Sequence, residues 1–410
     1  MSRRCQLVLR SFVVLAMMLA FAPLADSTAV GQEKPEPTAE GQQAEEKIDF
    51  EKARALIQKQ RSGGKLTDEE AAYLNRAREL RRRQQGRPDA RPAGRPATRP
   101  GAPQPKSSLD LVPLTDLPAG EKYKGQTGGL YGEGRNTPPE KHLEAALAAS
   151  AKIQPLDENG KPAADGKIVL ISVGMSNTTQ EFGQFVQMAK AALGRSSHVV
   201  VVDGAQGGQD ASDWSNPEKR FRSDRDDVWT VLAQRLKQAG VTPQQVQVAW
   251  IKQARRNPAA LGEFPGHADE LQGHLQNIVQ QLKQRFPNMR LAYLSSRIYA
   301  GYAGGPLNPE PYAYEGAFSV RGLIEKQIAG DAELNYDASV GEAKAPLLLW
   351  GPYLWANGEK GRQQDDLVWL REDLAGDGTH PSDSGRRKVA KLLLEFFQSD
   401  PTASPWFTNK

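Results

Sequence analysis

Ile168-Val169-Leu170-Ile171-Ser172-Val173-Gly174-Met175-Ser176-Asn177 is the stretch that decides how this chain folds. It opens with an almost unbroken apolar run and stops at a glycine, the pattern of a short strand buried on both faces. Val199–Val202, residues 246–251, Leu291–Leu294 and Leu347–Trp350 repeat the pattern. Between these runs lie stripes at helical spacing. Phe182, Phe185, Val186, Ala189 and Leu193 form one, Leu271, Leu275, Ile278, Val279 and Leu282 a second, and Val389, Leu392, Leu393, Phe396 and Phe397 a third. Strand and helix alternate, and the connections are too long for hairpins. That order predicts an α/β domain over residues 120–400, a parallel sheet of about five strands with helices on both faces.

The N-terminal part differs in composition. Residues 31–110 hold only eight Leu, Ile, Val or Phe, too few to offset chain entropy with a large core. Phe50, Ala53, Leu56 and Ile57, then Ala72, Leu74 and Leu80, predict two short helices within residues 30–85, broken at Gly63-Gly64. Thr67-Asp68-Glu69-Glu70 has the form of a capping box opening the second. Residues 86–110 repeat Arg-Pro at about four-residue spacing, the composition of a stiff extended linker. At the start of the chain, Arg3, Arg4 and Arg10 flank an apolar run over 12–22, and Ser27-Thr28-Ala29 supplies small residues for cleavage. Residues 1–29 therefore read as a secretory signal, and the mature protein is expected to be exported, periplasmic or extracellular.

Charge and cysteine content exclude several classes. The formal net charge is +4, yet residues 76–99 contain nine Arg against Glu79 and Asp89. The basicity belongs to that stretch, so the folded part has no electrostatic reason to seek nucleic acid. The stretch itself is either a soluble spacer or a contact to an anionic surface. Cys5 is the only cysteine, which excludes disulfides, zinc knuckles and thiol chemistry once the signal is removed.

In parallel sheets a site forms beyond the C-terminal ends of the strands. Four of those ends carry unusual polar sequence: Gly174-Met175-Ser176-Asn177, Gly204-Ala205-Gln206-Gly207-Gly208 with Trp214 beyond, Trp250-Ile251-Lys252-Gln253, and Asp377-Gly378-Thr379-His380-Pro381 before the last helix. Serine catalysis needs a base in hydrogen-bond reach, an acid to orient it and donors for the oxyanion. Ser176 at a strand-to-helix turn is a candidate nucleophile, and equally a candidate N-cap. His380 and Asp377 are close enough for one loop to carry both. Pro381 keeps His380 out of helical conformation, and Ser382 or Asp383 can cap the helix that follows. No cofactor or metal is required by these roles.

These blocks resemble the SGNH (GDSL-type) hydrolases, in particular their sialate O-acetylesterase-like branch. Gly174-Met175-Ser176-Asn177 is similar to its G-Q-S-N motif with Met in place of Gln, Gly207-Gly208 with Trp214 to its second block, and Asp377 with His380 to its D-x-x-H. The resemblance spans about 165–398. It implies a three-layer α/β/α flavodoxin-like fold and hydrolysis of acyl esters, usually acetyl groups on carbohydrate, through Ser176, His380 and Asp377. Where the wider family carries an Asn-Asp pair, this chain has Gln253-Ala254. Gln253 can donate its amide to the oxyanion from a longer arm; otherwise the Ser176 and Gly208 N–H groups remain. A catalytically silent carbohydrate-binding or scaffold domain on the same fold is the alternative.

Arg297, Tyr299 and Glu315 follow the fourth strand and either contact a sugar or form a structural ion pair and packed aromatics. His267 and His274 lie seven apart on one helix face, read as an exposed face rather than a ligand pair. Asp203, Asp210 and Asp213 lack calcium-loop spacing, and Gly204–Gly208 lacks the Lys-Ser/Thr of a phosphate loop.

Overall fold

The computed structural model describes residues 111–194, 197–219 and 224–408, together with residue 49, residues 52, 53, 55, 56 and 59, and residues 67–84. The expected signal segment 1–29 and the Arg-Pro stretch 86–110 lie outside the described residues. Residues 1–91 and 92–410 form two separate units.

In the first unit, Asp68–Gln84 is a helix. Its capping box forms as the sequence predicts: Glu70 N–H donates to Thr67 Oγ1 (3.2 Å), and Thr67 N–H donates to the Glu70 carboxylate (2.9 Å). Helical residues around Ala53 and Leu56 close a small apolar cluster with Tyr73, Leu74 and Ala77.

The second unit is built on five parallel strands, β1 (Ile168–Gly174), β2 (Val199–Val202), β3 (Val246–Lys252), β4 (Leu291–Leu294) and β5 (Leu347–Trp350), in the order β2-β1-β3-β4-β5. The chief helices are α1 (Glu140–Ser150), α2 (Ser176–Leu193), α3 (Ala211–Ser215), α4 (Val228–Gln238), α5 (Gly266–Arg285), α6 (Tyr312–Ile328), α7 (Asp383–Ser399) and α8 (Ser404–Phe407). This is the doubly wound, three-layer flavodoxin-like arrangement. Its strand order reverses between β1 and β3, where open α/β sheets place their ligands.

Every residue of β1, β3, β4 and β5 is buried, which explains why these strands read as continuous apolar runs. On one face α2 packs against α7, with Phe185 stacked on Phe397 at 5.5 Å, and against the sheet, with Phe182 stacked on Trp250 of β3 at 5.5 Å. A buried Phe of this kind is worth about 3–5 kcal/mol against truncation to Ala. α5 and α6 pack against each other. The core also takes in Leu111 and Leu114 before residue 120 and Trp406 and Phe407 after residue 400, so the folded domain is longer at both ends than 120–400. Leu111 and Leu114 stand outside any helix or strand, and Trp406 and Phe407 lie in the four-residue α8, too short to show a period. Among the described residues no helix is long and apolar enough to cross a membrane.

Candidate active site

The turn after β1 is set by Gly174. A Cβ there would collide with the Thr178 side chain and come within 2.5 Å of the Lys252 carbonyl, so only glycine lets β1 run straight into α2. Ser176 is the first residue of α2, and Met175, not Ser176, occupies the N-cap position without a side-chain cap bond. The capping alternative for Ser176 is thereby removed.

His380 reaches the same edge from the other end of the domain. Its loop closes through Ala375 N–H donating to the His380 carbonyl (2.7 Å) and Gly378 N–H to the Ala375 carbonyl (2.9 Å). Gly378 takes φ +67°, and a Cβ there would overlap the Tyr302 carbonyl, so this turn also requires glycine. Of the two caps the sequence offers, Ser382 and Asp383, it is Ser382 that caps α7, accepting from Gly385 N–H.

The loop brings three side chains into line. Ser176 Oγ lies 2.8 Å from His380 Nε2, and His380 Nδ1 lies 2.5 Å from Asp377 Oδ2. Asp377 Oδ1 accepts from the backbone N–H groups of Thr379 and His380, both at 3.0 Å. Partial burial alone would raise the Asp377 carboxyl, but the His380 ring and these two N–H donors hold it below the ordinary carboxylate value. Ser176 is half-buried, and the His380 ring and Asp377 are partly exposed at the sheet edge.

The loop after β2 runs alongside. Gln206 N–H donates to the Gly174 carbonyl (2.9 Å), and a Cβ on Gly207 would stand 3.9 Å from Ser176 Cβ. Asp203 anchors this loop: it accepts from Ser172 Oγ (2.6 Å) and Thr179 Oγ1. The Gly208 carbonyl accepts from Arg256 Nη1 at 2.7 Å. Gln253 follows β3, whose register pairs Lys252 with Gly174, so Gln253 stands level with the turn that carries Ser176. It is buried, and its Nε2 donor has no acceptor among the described residues.

Beneath the turn lies a pair that the sequence did not suggest. Lys252 Nζ donates to Glu181 on α2, and both are essentially inaccessible. Burial dominates both groups: it draws the Lys252 ammonium down to about 8 and pushes the Glu181 carboxyl up, each only partly offset by the partner. Lys252 and Trp250 share a strand parity and both face α2.

Arg297, Tyr299 and Glu315, open to a sugar-contact or a structural reading, all lie in the interior. Glu315 is buried and fully engaged, accepting from Tyr123 Oη (2.6 Å) and Lys124 Nζ (2.8 Å) on Oε1, with His267 Nε2 at 2.7 Å from Oε2. It is a structural ion pair, and His267 is buried against it rather than on an exposed face. Tyr299 is buried against Tyr302 and Trp355 and offers no surface to a ligand. Arg297 is also buried. Burial lowers its guanidinium, opposed by the fields of Glu181, Glu310 and Asp377.

No protein-family model and no curated protein matches the sequence. Among solved structures, a Bacteroides fragilis protein described as an acylhydrolase is similar at 14% identity, covering 63% of this chain and 96% of its own, with a TM-score of 0.32. A gut microbial diltiazem-metabolizing enzyme is similar at 15% identity over 59% of this chain, with a TM-score of 0.33. The matched region spans about half of that enzyme's length (48%).

Proposed function

We propose that the protein is an exported serine ester hydrolase of the SGNH type that removes acyl groups, acetyl above all, from carbohydrate. The observation that carries the reading is the continuous line from Ser176 Oγ through the His380 ring to Asp377, at 2.8 and 2.5 Å. In this mechanism His380 takes the Ser176 proton as Oγ attacks the ester carbonyl. Asp377 holds Nδ1–H toward itself, fixing the tautomer and stabilising the imidazolium. The N–H groups of Ser176 and Gly208 and the Gln253 amide stabilise the oxyanion. His380 returns the proton to the leaving alkoxide, then activates a water that clears the acyl-enzyme.

The test is covalent labelling with a fluorophosphonate. Wild-type protein is expected to be labelled and Ser176→Ala is not. An unlabelled wild type, or a labelled Ser176→Ala variant, overturns the assignment.

A further inference from the structure

We propose that Asn177 is a positioning residue that locks the nucleophile's helix to the loop bearing the general base, so that Ser176 and His380 are held as one unit. The proposal rests on the reading of those two residues as nucleophile and base.

The His380 loop is held by several contacts. Asp377 supplies two, through the ring Nδ1 and through the His380 backbone N–H. Both lie within the loop 377–380, Ala375 N–H closes the wider turn on the His380 carbonyl, and Gly304 N–H ties the Asp377 carbonyl to the segment after β4 (3.1 Å); none of these reaches α2. The backbone of the loop is tied to α2 by Asn177, whose Nδ2 donates to the Thr379 carbonyl at 2.9 Å, across 202 positions of sequence. Asn177 adjoins Ser176 and Thr379 adjoins His380, so this one bond ties the two reacting residues through their nearest chain neighbours.

The bond is sheltered, since Asn177 and Thr379 are 2% and 3% exposed. Water is poorly placed to replace it, and breaking it leaves a buried carbonyl without that donor. The next residues of α2 are anchored to the opposite element. Thr178 Oγ1 donates to the Lys252 carbonyl (2.7 Å), and Glu181 pairs with Lys252 Nζ. The first turns of α2 are thus gripped by β3 on one side and by the His380 loop on the other. The second grip is the Asn177 amide.

The direct contact between Ser176 and His380 does not make this amide redundant. A serine hydroxyl turns about a single bond, and its hydrogen bond to the ring is given up when Oγ attacks a carbonyl. A fixed amide to a backbone carbonyl persists through that step and keeps the base within reach.

The test uses Asn177→Asp and Asn177→Ala in the full chain. Asn177→Ala removes the donor without placing a charge in the interior and is the variant expected to keep the fold; Asn177→Asp is isosteric but puts a carboxylate at a site only 2% exposed and is expected to be the less stable of the two. It replaces a donor by an acceptor facing the Thr379 carbonyl. With an acetyl ester as substrate, both variants are expected to lose about ten to a hundredfold in kcat with KM little changed. A second readout is independent of turnover: the low-field proton resonance of the His380 Nδ1–H to Asp377 bond is expected to shift or broaden in both variants while the circular dichroism of Asn177→Ala stays that of the folded wild type.

An active wild type whose two variants keep kcat within about twofold overturns the proposal, as does an unchanged His380 resonance. A wild type that neither turns over nor labels overturns the esterase reading instead. The resonance then still decides whether Asn177 couples the two elements.

Discussion

Ser176 Oγ and His380 Nε2 stand 2.8 Å apart although 204 positions separate them in the chain. A hydroxyl and an imidazole at that distance form a hydrogen bond of ordinary geometry, along which a proton can pass. Replacing either residue by Ala is expected to reduce kcat by about 10⁴-fold or more. Steady-state hydrolysis of an acetyl ester measures this, and activity within tenfold of wild type in Ser176→Ala would exclude the triad.

Asp377→Asn is expected to keep the fold and lower kcat by about 10⁴-fold, because an amide favours the wrong imidazole tautomer. The pH dependence of stability follows from the depressed Asp377 carboxyl. A folded-state value below the unfolded value of about 3.9 favours the ionised form in the fold. Its contribution is present above that value and is lost as pH falls through the depressed one. The melting temperatures of wild type and Asp377→Asn should therefore converge as pH falls below about 3.9. The group is half-exposed, so the effect is small. Divergence on acidification would contradict it.

Gln253 carries a buried amide donor without an acceptor among the described residues, at the level of the Ser176 turn. If it serves the oxyanion, Gln253→Ala lowers kcat by about 10²–10³-fold, near 3 kcal/mol, and leaves KM almost unchanged. A loss confined to KM would assign it to substrate binding instead.

The Lys252–Glu181 pair gives a prediction about stability alone. Lys252→Met leaves a buried carboxylate and is expected to cost about 3–5 kcal/mol in urea unfolding, as is Glu181→Leu. The double variant should recover most of that loss, because both desolvation penalties disappear together. Additive losses in the double variant would show that packing, not charge, accounts for the single effects.

The sequence by itself determined the five strands and the helices α2, α5 and α7. Five apolar runs, three amphipathic stripes, the Thr67 capping box and the Ser382 cap are local patterns, and local patterns follow from burial and backbone satisfaction within a few residues. The polar strand ends marked the site because a parallel sheet leaves its C-terminal edge free for ligands. Only the tertiary structure decided how polar groups far apart in the chain pair once buried. His267 reads as exposed from its place on a helix face, yet it is buried against Glu315, which lies 48 positions on. Lys252 read as a strand end, and only the packing of α2 on β3 supplies Glu181. Asn177 stood in the motif without a role until the fold laid Thr379 beside it. Hydrophobic periodicity is written residue by residue, whereas the pairing of buried polar groups depends on which surfaces the folded chain brings into contact.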